Sequence, residues 1–327
     1  MTSRDLPAVW FERTILPALM AEVAAMVTVL GPATDDDPYA GLASARAAVA
    51  SILRYDAALM DQAPGLRVIA RTGIGYDRVD VAEATRRGIA VCNTPDAPTI
   101  STAEHAAALM LMVAKNVKRA EWELRQGIGG TYARHNAIEL DGKVLGLVGF
   151  GRIARRVARI CEGLGMRVTA YDPYLPATAF PPEVVRAESL EQLLGDADVV
   201  SVHVPLTDDT RGMFGLDEFR QMKQGAVFVN TARGGLVDGD ALLAALAGGR
   251  LFGAGLDVTE PEPLSANHPL LLRDDVVVTP HIASGTADAK VRIFRAAFEQ
   301  VVQVLAGRRP THLVNPEVWD SSTSPVL

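Results

Sequence analysis

One segment restricts the fold of this chain more than any other. An apolar run at 144–148 is followed by Gly149-Phe150-Gly151-Arg152-Ile153-Ala154 and by a helical pattern that continues to Cys161. This order is typical of a strand that turns tightly into a helix in a doubly wound parallel sheet, where glycines let the backbone approach a pyrophosphate at the helix N-terminus. Ala154 is acceptable at the third position, which needs only a small residue. The segment predicts a dinucleotide site.

An acidic residue follows at the spacing that such a site needs. Asp172 lies 23 residues after Gly149, at the end of the next predicted strand. A carboxylate there accepts hydrogen bonds from the ribose hydroxyls of NAD and repels a 2′-phosphate, so NAD is favoured over NADP. Arg152 is expected to bind phosphate. Arg167 is a nearby cation that is expected to weaken the discrimination between NAD and NADP. The alternative is a plain glycine-rich turn in which Asp172 caps a helix.

Two α/β series run along the 327 residues, which suits two domains. The first has predicted strands at 25–30, 47–53, 67–70 and 89–92, with helices at 14–24, 56–62 and 81–87. A long helix at 102–125 leads to a second series of six strands, at 144–148, 167–170, 199–202, 226–230, 253–256 and 276–278.

A last helical run at 287–305 and a segment at 308–316 are expected to return to the first series. The prediction is a discontinuous, flavodoxin-like substrate-binding domain of 1–97 plus 290–327 and a Rossmann domain of 98–289, both doubly wound, with a cleft between them that closes on the cofactor. The Ser/Thr/Pro-rich end, 321–326, is expected to be a loose tail.

Composition excludes several classes of partner. A net charge of −7 and a pI near 5.4 leave no basic footprint for nucleic acid or an anionic membrane. Neither a signal peptide nor a membrane span is supported. Cys92 and Cys161 lack metal-ligand spacing, so we expect buried, reduced thiols, a cytoplasmic protein and no metal site.

Further motifs extend the pattern. They are Glu139-Leu140-Asp141-Gly142-Lys143, Asn230-Thr231-Ala232-Arg233-Gly234-Gly235, Gly73-Ile74-Gly75-Tyr76-Asp77, Ala103-Glu104-His105, Val202-His203-Val204-Pro205-Leu206-Thr207, Gly255-Leu256-Asp257-Val258 and Pro280-His281-Ile282. With them the chain resembles the NAD-dependent D-2-hydroxyacid dehydrogenases over about 42–316. The resemblance implies hydride transfer between NAD(H) and C2 of a D-2-hydroxy acid or its 2-keto partner.

The resemblance also implies three catalytic residues. Arg233 matches the arginine that binds the substrate carboxylate and keto oxygen, for which a guanidinium fork is suited. His281 matches the acid/base that donates a proton during reduction, and Glu262 matches its carboxylate partner. Glu260 is a competitor for that partner, but in the family pattern the glutamate directly precedes the final proline, which selects Glu262.

Binding contacts follow by the same match. The substrate is expected to meet Arg233 and the backbone amides at Ile74 and Gly75. The cofactor is expected to meet Thr102, Gly149, Gly151, Arg152, Ile153, Asp172, Val204, Pro205, Thr207, Thr231, Ala232 and Asp257. Thr94 is a weaker candidate, and His203 is expected to be structural or adenine-side.

Substrate choice rests on finer features. Phosphoglycerate dehydrogenases carry a phosphate-binding arginine where Ala50 stands here, which disfavours 3-phosphoglycerate unless Arg54 or Arg71 compensates. The segments 259–264 and 267–270 look more like glyoxylate/hydroxypyruvate reductases. Glu262 disfavours formate, while phosphite oxidation and an NAD(H)-sensing corepressor stay as alternatives. The helix at 102–125 is expected to form a homodimer face, with burial in its own domain as the alternative.

Overall fold

The computed structural model describes residues 6–32, 34 and 36–320. The chain forms two compact units. The first unit holds the described residues up to Pro98 and from Ala287 onward, and the second unit is Thr99–Thr286. The tail predicted at 321–326 lies outside the described residues.

The first unit contains a five-stranded parallel sheet in the order β2-β1-β3-β4-β5. Its strands are β1 (Ala8–Phe11), β2 (Thr28–Leu30), β3 (Ala47–Ala50), β4 (Val68–Arg71) and β5 (Ala90–Cys92). This order is the flavodoxin-like one. The sequence prediction has no strand at Ala8–Phe11, because four residues are too few to show a period.

The second unit contains a seven-stranded sheet, also parallel, in the order β12-β11-β10-β9-β6-β7-β8. Its strands are β6 (Val144–Val148), β7 (Arg167–Tyr171), β8 (Val184–Arg186), β9 (Val199–Val202), β10 (Ala226–Asn230), β11 (Leu251–Leu256) and β12 (Val276–Val278). The strand order reverses between β6 and β9, as in Rossmann folds. The predicted number of six strands is wrong, because the edge strand β8 buries only Val184.

Helices cover the sheets. In chain order they are α1 (Pro17–Ala24), α2 (Ala57–Asp61), α3 (Val81–Arg86), α4 (Thr99–Ala114), α5 (Val117–Arg125), α6 (Thr131–Arg134), α7 (Arg152–Glu162), α8 (Leu190–Asp196), α9 (Leu216–Gln221), α10 (Gly239–Ala247), α11 (Pro269–Leu272), α12 (Ala287–Leu305) and α13 (Glu317–Asp320). Within the described residues, no helix is long and apolar enough to cross a membrane.

The single long helix predicted at 102–125 is two helices. Asn116 lies between α4 and α5 in the left-handed region, with φ of 50°. Asparagine tolerates that conformation better than most residues, so the chain changes direction there. The first of the two helices buries one face on the sheet, since Gly253 and Gly255 of β11 leave room for it; a Cβ on Gly255 would lie 2.8 Å from the Cβ of Leu109.

The C-terminal segment completes the first unit. Phe294 of α12 stacks on Phe11 of β1 with ring centroids 5.7 Å apart. Beyond the helix, the buried side chain of Asn315 accepts a hydrogen bond from Val91 N–H at 2.8 Å and donates one to Ile89 O at 2.9 Å. These bonds hold the returning chain beside β5.

Both cysteines are buried, and burial raises the pKa of each thiol to about 12.

Candidate active site

Three neighbouring strands of the second unit end in the residues predicted to carry chemistry. Arg233 follows β10, Asp257 directly follows β11, and His281 follows β12. Because the strands are parallel and adjacent, all three residues lie at the carboxyl edge of one sheet. Ligands of doubly wound folds bind at this edge.

The loop that carries Arg233 is shaped by the last residue of β10. The side chain of Asn230 accepts a hydrogen bond from Ala232 N–H at 2.9 Å and donates one to Arg233 O at 2.8 Å. Gly234 then packs against the chain that follows Asp257, because a Cβ there would lie 2.1 Å from the carbonyl carbon of Thr259. The half-buried arginine therefore stands on a rigid loop.

His281 and Glu262 form a pair. His281 Nδ1 lies 2.8 Å from Glu262 Oε1, and the imidazole side chain is 45% exposed. Among the described residues, His281 Nε2 has no hydrogen-bond partner. A carboxylate on Nδ1 leaves Nε2 as the position from which a proton can be given to a ligand.

The two candidate glutamates have different partners. Glu260 accepts hydrogen bonds from Arg211 Nη1 at 3.2 and 3.1 Å, in an exposed ion pair. Its neighbour two residues along the chain, Glu262, is the one that contacts His281. The geometry thus agrees with the choice made from the Pro-Glu-Pro spacing.

A buried carboxylate holds the loop that presents His281. Asp257 is 1% exposed and accepts hydrogen bonds from the backbone N–H groups of Ile282 at 2.9 Å and Ala283 at 2.8 Å. Its own carbonyl accepts the N–H of His281 at 2.7 Å. His281 has φ of 53°, a conformation uncommon for histidine. These bonds around Asp257 compensate for that conformation.

Two further side chains complete this network and were given no role from the sequence. Thr279 Oγ1 lies 2.6 Å from Asp257 Oδ1 and 2.8 Å from Nε2 of His105, on α4. Burial alone raises the pKa of Asp257, but hydrogen bonds from His105, Thr279 and the backbone outweigh it and hold the pKa below its ordinary value. His105 belongs to a quoted motif, but its partner is distant in sequence.

The dinucleotide turn has the shape that its sequence predicts. Gly149 follows β6 with φ of 86°, and a Cβ there would lie 2.9 Å from His203 O. Gly151 precedes α7, and nothing lies within 4 Å of its hypothetical Cβ. The first glycine is therefore needed for packing, whereas the second leaves open space at a helix N-terminus that can receive a pyrophosphate.

Asp172 is held at the end of β7. One carboxylate oxygen accepts from Phe150 N–H at 3.0 Å and the other from Tyr174 N–H at 3.1 Å, which leaves lone pairs for ribose hydroxyls. Arg167 begins the same strand, about 16 Å away at roughly 3.3 Å per residue, so it does not offset this charge. The expectation that Arg167 weakens NAD selectivity is wrong.

Other predicted cofactor residues lie in the same unit. Val204 and Pro205 follow β9, Thr102 is buried in α4, and the N–H of Thr207 is bonded within a turn to Thr210 Oγ1 at 2.8 Å. After β10, Thr231 Oγ1 is buried and has no hydrogen-bond partner among the described residues. An unpaired hydroxyl, an open helix terminus and an oriented carboxylate fit a dinucleotide.

His203, predicted to be structural or adenine-side, is bonded to a side chain of β9, the strand that it follows. Its Nε2 lies 2.9 Å from Ser201 Oγ, and burial lowers the pKa of the imidazole to about 4. The ring is therefore neutral at physiological pH.

No group of three His, Cys, Asp or Glu residues that could hold a metal ion occurs in the described part of the chain.

The residues predicted to bind the substrate through backbone amides belong to the first unit. Ile74 and Gly75 lie in the loop after β4, where Asn93 Nδ2 donates to Ile74 O at 2.7 Å and Arg71 Nε donates to Gly75 O at 3.2 Å. The loop is thereby tied to two neighbouring elements. Thr94, the weaker candidate, is buried beside it and donates its N–H to Gly73 O at 2.9 Å.

Comparison with known proteins identifies the family. The family described as D-isomer specific 2-hydroxyacid dehydrogenase, NAD binding domain, matches residues 107–283. A D-3-phosphoglycerate dehydrogenase of Archaeoglobus fulgidus is 41% identical over 82% of this chain and 50% of its own length. A glyoxylate reductase of Aeropyrum pernix is 42% identical over 81% of each chain. The chain thus spans about half of the first relative and four-fifths of the second.

A solved structure agrees. The D-lactate dehydrogenase of Aquifex aeolicus, complexed with NAD and lactic acid, superposes with a TM-score of 0.84 at 28% identity over 94% of this chain and 98% of that one. The chain belongs to the NAD-dependent D-isomer specific 2-hydroxyacid dehydrogenases. The predicted fold class, cofactor and enzyme class are confirmed.

Proposed function

We propose that this enzyme reduces small, unphosphorylated 2-keto acids of the glyoxylate and hydroxypyruvate kind with NADH. The observation that carries the proposal is the His281–Glu262 pair, 2.8 Å apart, at the same sheet edge as Arg233 and the dinucleotide turn. Such a pair can deliver a proton, and a fixed guanidinium can bind a carboxylate. NADH, when bound, supplies the hydride that C2 accepts.

Arg233 is proposed to bind the substrate carboxylate and the keto oxygen. Its guanidinium is half-buried, and Nη1 donates to Ala232 O at 2.7 Å, which orients the side chain. As negative charge develops on the keto oxygen, a planar cation with several donors stabilises it more strongly than it stabilises the neutral carbonyl. Ile74 and Gly75 of the first unit are retained as proposed substrate contacts.

His281 is proposed to donate the proton that converts the developing alkoxide into the hydroxyl. The Glu262 carboxylate fixes the orientation of the ring through Nδ1 and leaves Nε2 to face a ligand. Reduction therefore uses one hydride and one proton, and oxidation of the hydroxy acid reverses both transfers. Asp257 acts on the loop of His281, and its predicted contact with the cofactor is kept as part of the proposal.

Three features support an unphosphorylated substrate. Ala50, which stands where phosphoglycerate dehydrogenases have an arginine, is fully buried at the end of β3 and offers no cation. Arg71, which could replace the missing arginine, already donates hydrogen bonds to the backbone carbonyls of Gly75 and Ser51. The relative matched over most of its length is named a glyoxylate reductase.

The proposal includes a cytoplasmic homodimer with the discontinuous first unit as substrate-binding domain. Exposed apolar side chains seven residues apart on one side of α5, Val117 at 44% and Leu124 at 79%, support a dimer face there. Analytical ultracentrifugation at micromolar protein concentration tests the dimer. A monomer at that concentration would contradict this part of the proposal.

Initial rates of NADH and NADPH oxidation test the reaction itself. The panel is glyoxylate, hydroxypyruvate, pyruvate, phenylpyruvate and 3-phosphohydroxypyruvate. We expect NADH-dependent turnover that is fastest with one of the first two. A preference for 3-phosphohydroxypyruvate would favour a phosphoglycerate dehydrogenase, and tight NADH binding without turnover would favour a sensor.

A further inference from the structure

A carboxylate of the protein occupies an anion site in the first unit. Glu12, directly after β1, accepts hydrogen bonds from three consecutive backbone N–H groups in the loop after β3. They belong to Ser51 at 2.5 Å, to Ile52, and to Leu53 at 2.9 Å. The glutamate is only 4% exposed. Successive amides that converge on one point form a concavity that binds anions.

The position of this anion site in the sheet is informative. The order β2-β1-β3-β4-β5 reverses direction between β1 and β3, and Glu12 and the 51–53 loop lie at the carboxyl ends of those two strands. In flavodoxin-like sheets this switch point is where a ligand binds. Here the protein's own side chain fills it.

The buried cation beside this loop is also in use. Arg71 is 8% exposed, its Nη1 donates to Ser51 O, and its Nε donates to Gly75 O at 3.2 Å. Arg71 thereby joins the 51–53 loop to the loop of Ile74 and Gly75, which is proposed to contact the substrate. Since neighbouring strands lie about 4.8 Å apart, a phosphate on C3 of a substrate bound at Gly75 would reach toward the 51–53 amides.

The charges in this cluster interact. Tyr55 lies beside Glu12, with its hydroxyl 3.4 Å from Oε2. Burial, followed by the charge of Glu12, raises the pKa of Tyr55 well above its ordinary value. Arg71 offsets part of the negative charge of Glu12. A second anion is therefore kept out mainly because Glu12 already occupies the backbone amides, and less because its charge repels the anion.

We propose that Glu12 is a specificity-determining residue that excludes phosphorylated 2-keto acids by occupying the amides of the 51–53 loop. The inference rests on the proposed function, since it concerns which 2-keto acids that site reduces. Two exposed arginines lie at this loop: Arg54 follows it in the chain, and Arg78 donates its Nη1 to Ile52 O at 2.9 Å. Without free amides, exposed cations alone do not hold the phosphate.

The test compares hydroxypyruvate with 3-phosphohydroxypyruvate, which differ by the phosphate. Glu12→Ala frees the three amides, and Glu12→Gln removes the charge while keeping the shape. Glu22→Gln is the matched control, since Glu22 is an exposed carboxylate of the same unit that pairs with Arg295. We expect the kcat/KM ratio of phosphorylated to unphosphorylated substrate to rise tenfold or more in Glu12→Ala, less in Glu12→Gln, and not in the control.

Inorganic phosphate provides a second readout that does not need turnover. It should raise the unfolding temperature of Glu12→Ala but not of the wild type or Glu22→Gln. An unchanged substrate ratio in folded Glu12 variants, or wild-type enzyme that uses both substrates equally, overturns the role of Glu12 while leaving the reductase proposal intact. If no 2-keto acid is reduced, the reductase proposal fails, and phosphate binding alone decides whether Glu12 blocks the site.

Discussion

The network of His105, Thr279 and Asp257 makes a sharp prediction for Thr279→Val. Valine keeps the shape of threonine but removes the hydroxyl. A hydroxyl has one proton, and the carboxylate 2.6 Å away can only accept, so Thr279 donates to Asp257 and accepts from His105 Nε2 at 2.8 Å. The substitution therefore removes two hydrogen bonds, one of them to a buried charge.

The magnitude follows from those bonds. A hydrogen bond to a charged group contributes about 1.5–3 kcal/mol and one between neutral groups about 1 kcal/mol. His105 Nε2 is 3.4 Å from Asp257 Oδ1 and can recover part of the loss by moving closer. We expect a net destabilisation of about 2 kcal/mol, local to the loop of His281.

Hydrogen exchange measures this directly. The N–H groups of Ile282 and Ala283 donate to Asp257, and their exchange should accelerate about thirtyfold in Thr279→Val, the factor that corresponds to 2 kcal/mol. Turnover should fall more than KM rises, because His281 loses its fixed position. Thr279→Ser should behave like the wild type. Unchanged exchange in the valine variant, or an equal acceleration in the serine variant, would show that the Thr279 hydroxyl does not hold this loop.

Three other outcomes follow from the site. Glu262→Gln should lower kcat for reduction, since a neutral amide accepts the Nδ1 proton of His281 more weakly than a carboxylate and orients the ring less firmly; an unchanged kcat contradicts the pairing. Burial lowers the pKa of His203 from 6.5 to about 4, so the unfolded chain takes up a proton that the folded one does not. Stability should fall by about 1–3 kcal/mol between pH 6.5 and 4 and fall less in His203→Asn, as acid unfolding curves can measure. Asp172→Ala should raise the KM for NADH about tenfold and narrow the preference over NADPH, and initial rates with both cofactors check this.

Sequence pattern alone predicts the elements with a strong local signal. The strands at Val144–Val148, Val199–Val202 and Ala226–Asn230, and the helix at Ala287–Leu305, have the predicted bounds. In the strands, a short run that is mostly valine and other apolar residues ends at a polar or glycine residue. Short elements such as β1 and β8 lack such a signal, and the break at Asn116 depends on one backbone conformation that a helical pattern does not reveal.

The parts of the site that escaped prediction depend on long-range contacts. His105 and Thr279 are 174 positions apart, and each is unremarkable until α4 packs on β11. Glu12 meets its amides 39–41 positions along the chain. By contrast, Glu262 could be chosen over Glu260 from a local proline spacing. Motif residues can be predicted because they lie close in sequence to a turn or a strand end. The residues that hold them in place can be far away in the sequence, so local patterns do not reveal them.

The role of Arg233 is measured by the turnover of Arg233→Ala with hydroxypyruvate, together with an NADH titration by fluorescence. We expect that most turnover is lost while the NADH dissociation constant stays within about twofold, because Arg233 is assigned to the substrate and the dinucleotide turn lies on other strands. A variant that still reduces hydroxypyruvate at the wild-type rate would contradict the assignment.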